Sequence, residues 1–213
     1  PDVKLDALPY EEALQTVVLQ YVSAFGPVSV GDMIRWLGSI PRQQVVATLM
    51  NLGQRLTRVQ IEGFQGEYFF LRDEVDALEA AQPIENEVVL LPPRDSLMTA
   101  YTDPHRLTYN YGRLNHPYDG RIYDRAGEAM GTVWLGGTIV GTWGMQIRES
   151  RINVRLFEPQ DPEALALVGE EARRLGRWAD FLDLELDIKT FAEEEAEEED
   201  PSLVRPASVH RLL

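Results

Sequence analysis

The chain has 213 residues, with 35 acidic and 20 basic side chains, a formal net charge of −15 and no cysteine. This length suits one large domain or two small ones, and 44% apolar residues is typical of a folded globular protein. No apolar run is long enough to span a membrane, and no secretion-signal pattern stands at the start, so we expect a cytoplasmic protein without membrane contact. The lack of cysteine excludes disulfides and thiol catalysis, and the histidines have no metal-ligand spacing. We therefore expect neither a metal nor a cofactor.

The negative charge argues against a nucleic-acid partner, because binding duplex DNA requires Lys and Arg to neutralise phosphates. Part of the excess is local, however: residues 192–200 hold seven acids and no base, and we predict that 192–213 form an acidic, poorly ordered tail. The alternative is an acidic arm that competes with DNA for a basic groove. Residues 1–191 keep a net charge of −10, so DNA binding would need a local basic patch.

Residues 1–82 predict a winged helix-turn-helix domain. Apolar periodicity indicates a first helix over 10–25. Ser29 and Asp32 have the spacing of a capping box and begin a short second helix that stops at Gly38. Proline favours a third helix from 41 to about 56, and its apolar side supplies the core.

Two short strand patterns, at 57–61 and 68–71, surround a glycine-containing loop at 63–66 and predict the hairpin called the wing. In this motif the third helix enters the major groove and the wing touches the DNA backbone. The outward stripe of the third helix and its flanking arginines are the candidate contacts: Arg42, Gln44, Thr48, Asn51, Arg55 and Arg58. Any solvated helix has a similar polar face, and the wing beyond Arg58 carries Glu62 and Glu67 without a base, so a protein-interaction module remains an alternative.

Residues 83–191 predict a β-rich domain. Strand patterns at 88–91, 129–147 and 151–157, with a Gly136-Gly137 turn, indicate an antiparallel sheet or small barrel. A helix that begins after Asp161, with an apolar row ending at Leu182, is expected to pack on it. The predicted fold class is α+β, a winged helix-turn-helix domain followed by a small antiparallel β-barrel or sheet domain with a packing C-terminal helix.

Residues 94–125 combine five Arg with five Tyr and have a net charge of +1 in an otherwise acidic chain. Arginines neutralise phosphates and tyrosines stack on unpaired bases, although tyrosines that alternate on a strand also simply pack. The candidates here are Arg94, Arg106, Tyr109, Tyr111, Arg113 and Arg121. Together with the third helix, they make double-stranded DNA the expected partner.

Three stretches, in this order and spacing, resemble a known family: Tyr21–Asp32 opening the winged helix, Val88–Met98 entering the β domain, and Gly136-Gly-Thr-Ile-Val-Gly-Thr-Trp143. They are similar to the C-terminal part of the AlkZ-like winged-helix proteins, which include bacterial DNA glycosylases that unhook bulky or crosslinked bases. The resemblance implies tandem winged helices and a β-barrel around a basic channel that holds DNA.

The glycosylases of that family act through a Gln-x-Gln or Gln-x-Asp motif in N-terminal winged helices, and neither motif occurs in this sequence. Gln43 and Gln44 are adjacent rather than alternate. The chain begins at Pro1 rather than Met, as a processed chain or part of a longer one would. The resemblance therefore leaves two hypotheses: a winged-helix DNA-binding protein linked to DNA repair, or part of a monofunctional DNA glycosylase whose catalytic residues lie outside this chain.

Overall fold

The computed structural model describes residues 8–82, 84–102, 122–124, 128–181 and 183–199. These residues are α+β and divide into two compact units. The first contains 8–82 and 95–102, and the second contains 84–94 and the described residues from 122 onward. No helix among the described residues is long and apolar enough to cross a membrane.

The first unit consists of three helices, a hairpin and two short helices. These are α1 (Tyr10–Phe25), α2 (Val30–Leu37), α3 (Arg42–Asn51), β1 (Leu56–Val59), β2 (Tyr68–Leu71), α4 (Val75–Ala80) and α5 (Ser96–Thr99). The strands pair antiparallel, with Leu56 opposite Leu71 and Val59 opposite Tyr68. Three helices followed by such a hairpin form the winged helix-turn-helix arrangement that the sequence predicts.

The third helix is shorter than predicted, because it ends at Asn51 rather than near Leu56. A turn follows, and Leu56 begins β1 because its backbone pairs with the second strand. The predicted apolar side is nevertheless buried as a set, namely Val45, Leu49, Leu52 and Leu56. The apolar periodicity extends beyond the end of the helix because Leu52 in the turn and Leu56 in the strand are buried in the same core as the helix.

Residues 95–102, which the sequence assigns to the β-rich domain, pack on the first unit. The buried Tyr21 hydroxyl donates to the carbonyl of Ala100. Tyr101 donates its hydroxyl to the carbonyl of Phe25, at 2.9 Å. The first unit is therefore assembled from two separate stretches of the chain.

Asp32 connects these two stretches and is 2% exposed. One carboxylate oxygen accepts from the backbone N–H of Ser29 at 2.8 Å, and the other accepts from that of Thr102 at 2.6 Å. Ser29 completes the predicted capping box by accepting from the Asp32 backbone at 3.1 Å. One carboxylate thus caps α2 and fixes the returning segment.

The second unit contains a five-stranded sheet in the order β3-β4-β5-β6-β7. Its strands are β3 (Val88–Leu91), β4 (Gly131–Leu135), β5 (Thr138–Gln146), β6 (Arg151–Leu156) and β7 (Glu185–Thr190). Gly136 and Gly137 form the predicted two-residue turn, and both have positive φ, 55° and 76°. The described strands form an open sheet rather than a barrel, since β3 and β7 lie at opposite ends of this order.

The last strand was not predicted. β7 pairs parallel to β6, whereas the other neighbours are antiparallel. A parallel pair needs a long crossover, which here contains α6 (Pro162–Trp178). The signal was present as the alternation of Leu186 and Ile188 with polar residues, and both side chains pack against the core of the sheet.

Helix α6 begins at Asp161, whose carboxylate accepts from the Ala164 backbone at 2.8 Å as a predicted N-cap. Val168 and Ala172 are buried against the sheet. Leu165, predicted in the same apolar row, is exposed, because smaller residues at 164, 168, 172 and 176 form the most buried side. Leu182, the predicted end of the row, lies outside the described residues.

Residues 191–199 form helix α7 (Phe191–Glu199), where composition predicts a poorly ordered segment. Thr190 and Glu193 cap its start reciprocally: the Thr190 backbone donates to the Glu193 carboxylate at 2.7 Å, and Glu193 N–H donates to Thr190 Oγ1 at 3.2 Å. Arg155 donates to Glu194 at 2.6 Å, and Lys189 pairs with Glu197. Composition did not indicate the helix because the bases that pair with its acids, Arg155 and Lys189, lie in strands outside the acidic run.

We expect Asp32→Ala to lower the free energy of unfolding by about 2–4 kcal/mol, because it removes the cap of α2 and the hydrogen bond that the carboxylate accepts from the Thr102 N–H. Ser29→Ala is the matched control, which loses only its side of the cap, about 1 kcal/mol. Denaturant titration measures both. Equal losses would mean that the bond to Thr102 contributes nothing.

We expect the start of α7 to loosen in acid. The bonds donated by Thr190 hold the pKa of Glu193 below its usual range. A lowered pKa stabilises the fold above the unfolded value, about 4.3, and this contribution is lost as the pH falls through the folded value. In an NMR titration, the chemical shift of the Thr190 amide should change over the same pH range as that of the Glu193 carboxyl. In Glu193→Gln the pH-dependent change of the Thr190 amide shift should disappear. If it stayed the same, the amide would not be reporting the ionisation of Glu193.

Candidate nucleic-acid interface

Helix α3 presents an exposed face, but not the one that the sequence predicts. The predicted stripe includes Thr48, which is buried and donates its hydroxyl to the Gln44 carbonyl one turn earlier, at 2.8 Å. The exposed side is centred instead on Gln43, Ala47 and Met50. The prediction for Thr48 is therefore wrong, and the outward face is rotated by roughly a quarter turn. A threonine that bonds to its own helix satisfies its hydroxyl without solvent, which a polarity pattern does not reveal.

Three other predicted residues of this helix region are exposed. Arg42 is the first residue of α3, Asn51 is the last, and Gln44 accepts a hydrogen bond from the Tyr10 hydroxyl at 2.7 Å. This bond joins the start of α1 to the first turn of α3. Gln44 consequently holds two helices together and is less available for a base edge than the pattern suggests.

Two predicted arginines belong to the turn and strand after α3, and they differ in their partners. Arg58 lies on β1 and donates to the Glu67 carboxylate across the hairpin at 3.1 Å. It also lies over the ring of Phe69, 6.0 Å from the centroid. Arg55 is exposed, and neither it nor Arg42 has a side-chain partner among the residues that the structure describes. Arg42 and Arg55 are thus the cations best placed to meet phosphates.

Arg72, at the end of β2, is a structural residue that the sequence analysis missed. Its guanidinium donates to three backbone carbonyls, those of Gln54 at 3.0 Å, Gly53 at 3.2 Å and Leu56 at 2.8 Å. It therefore satisfies the turn that links α3 to β1 and fixes the hairpin against the helix. No local motif signals this role, because the partners lie 16 to 19 residues earlier.

A groove of about 640 Å³ lies between α3 and the hairpin. Met50 lines it from the helix and Gly53 from the turn after the helix, and Arg58, Glu67 and Phe69 line it from the hairpin. It combines apolar walls with side chains of both charge signs. Sequence reasoning did not find it, because its walls come together only when the hairpin folds onto α3.

Arg94 is the one candidate of the Arg/Tyr stretch that lies among the described residues. Arg94 belongs to the second unit, has a positive φ of 61° and donates to the Glu128 carboxylate. The remaining candidates of this stretch lie outside the described residues: Arg106, Tyr109, Tyr111, Arg113 and Arg121. Their role in binding DNA stays a prediction.

The described ranges contain no cluster of three or more His, Cys, Asp or Glu side chains that could hold a metal. The chemistry that the candidate interface offers is hydrogen bonding and charge. Arg42 and Arg55 can donate to phosphates, and Gln43 and Asn51 can pair with base edges.

Comparison with known proteins shows to which family this chain is related. A family model described as DNA glycosylase AlkZ-like matches residues 1–178. The solved structure of Streptomyces sahachiroi DNA glycosylase AlkZ superposes with a TM-score of 0.69 at 24% identity, covering 84% of this chain and 46% of that one. No curated protein matches. This chain thus spans about half the length of AlkZ, shares its fold, and belongs to the AlkZ-like DNA glycosylase family.

Proposed function

We propose that this chain is a DNA-binding part of a DNA-repair protein, and that it holds duplex DNA against α3 and the turn after it. The observation that carries the proposal is the pair of exposed arginines beside the helix that a winged helix-turn-helix presents to DNA: Arg42 is its first residue, and Arg55 lies in the turn after it. Membership of a DNA glycosylase family supports duplex DNA as the partner.

The small number of basic side chains in the first unit limits the affinity for DNA that we expect. Residues 1–75 contain six bases and nine acids, so attraction to DNA comes from a few side chains rather than from a general positive field. Arg58 is partly neutralised by Glu67. We therefore expect moderate affinity, with about two phosphate contacts from this surface.

Catalysis is proposed to depend on groups outside this chain. The Gln-x-Gln and Gln-x-Asp motifs to which the family's glycosylases owe their activity are missing from this sequence. On this proposal the chain positions DNA, and a catalytic segment positions the water that attacks the damaged nucleotide.

A protein-interaction module is the second candidate. Met50 is 75% exposed at the middle of the outward face of α3, and methionine is frequent on surfaces that bind protein partners. Binding to DNA distinguishes the two candidates.

We expect duplex DNA to bind with a steep loss of affinity between about 50 and 200 mM salt. Arg42→Ala and Arg55→Ala should each lower the affinity about five- to tenfold and reduce the salt slope by about one. Arg58→Ala should have a smaller effect, because Glu67 already neutralises it. Glu67→Gln should strengthen binding by releasing Arg58. Fluorescence anisotropy at several salt concentrations measures all four variants, and no binding at 50 mM salt would overturn the proposal.

We expect this chain to bind an alkylated duplex without excising the base. The assay incubates the chain with the duplex and then counts abasic sites as strand breaks after heating in alkali. Strand breaks above those of a no-protein control would place catalytic residues within the chain. They would contradict the division of roles proposed above.

A further inference from the structure

The groove between α3 and the hairpin has the size and lining of a small-molecule site. Its volume of about 640 Å³ lies within the range of roughly 300–1,000 Å³ that ligand pockets occupy. The buried Leu49 and Leu56 close its floor, and Val46 and Met50 form one wall. Neither the phosphate contacts proposed above nor the core of the unit accounts for such a space.

The opposite wall is aromatic and is covered by a weakly held cation. Arg58 lies over the ring of Phe69 at 6.0 Å and is bonded to Glu67 at 3.1 Å. The side chains of Arg58 and Glu67 are 66% and 64% exposed, so water competes for this pair and it contributes little to stability. A phosphate offers the guanidinium a bidentate partner that a single carboxylate oxygen does not match here.

We propose that the groove receives one unpaired nucleobase of the bound DNA, stacked on Phe69. In this arrangement Arg58 turns from Glu67 to the phosphate of that nucleotide and uncovers the ring. The freed Glu67 carboxylate then accepts a hydrogen bond from an N–H group on the edge of the base. Met50 covers the other face of the base, since its flexible side chain adapts to different ring shapes.

The chemistry of the lining selects a base over other occupants. Each of the bases is planar and can stack on an aromatic ring, and each carries N–H donors for a carboxylate, which only accepts hydrogen bonds. It is also attached to the phosphate that Arg58 requires. An apolar ligand would use neither charged side chain of the groove, whereas a free anion would leave its apolar walls without a contact.

This inference rests on the proposed function, because the base arrives on DNA that the first unit holds. The two are separated by comparing three duplexes of one sequence in anisotropy titrations with the full chain. The first is fully paired, the second has an unpaired 2-aminopurine, and the third has an abasic site in its place. We expect the unpaired base to raise the affinity about tenfold over the other two, with a change in 2-aminopurine fluorescence on binding.

Phe69→Leu keeps an apolar side chain without the ring and should abolish this tenfold preference. Met50→Ala changes an exposed residue that the fold does not need, and it should reduce the preference severalfold. Phe64→Leu is the matched control, because this ring lies in the loop between the strands and does not line the groove, and it should keep the preference. Equal binding of the three duplexes, or a preference that survives both groove variants, would overturn the inference while leaving duplex binding intact. Failure of all three duplexes to bind would overturn both.

Discussion

The first unit depends on a buried carboxylate, that of Asp32. An ionised group out of water must be compensated by hydrogen bonds, and here two backbone N–H groups, of Ser29 and Thr102, supply them. Ser29 lies three residues from Asp32 and Thr102 lies 70 residues from it, so the same carboxylate stabilises a helix start and a long-range contact. The orientation of α2 is fixed in this way, and the turn from α2 into α3, which carries the candidate interface, begins from that fixed helix.

Local pairing explains how an acidic chain can still present basic groups. Arg155 illustrates it: burial disfavours its charge, but bonds to Glu194 and Asp187 outweigh burial and raise its pKa. Lys189 and Arg151 are likewise engaged with acids of the second unit. The acidic side chains of α7 thus pair with basic side chains of the sheet in the same unit. Arg42 and Arg55, by contrast, have no acidic partner among the described residues, and both lie beside α3, so their charges are available to an anionic ligand at this helix.

The sequence predicted what local rules determine and missed what distant contacts determine. Helix α1, the capping box of α2 and the Gly136-Gly137 turn have short-range signals, and all were confirmed. The three carbonyls bound by Arg72 and the ion pair that joins Arg155 to the helix after Thr190 depend on partners 16 to 39 residues away. The candidate site follows the same division: its arginines were found from the pattern, but the groove beside them requires the folded hairpin.

The return of residues 95–102 to the first unit affects the order in which the protein folds during synthesis. Asp32 leaves the ribosome about 70 residues before Thr102, and until then one of its carboxylate oxygens lacks the backbone donor it has in the finished structure. Strand β3 of the second unit is synthesised in between. The amino-terminal unit therefore completes its packing only after the first strand of the next unit has emerged. Strand β3 in turn lacks its neighbour in the sheet until β4 is synthesised.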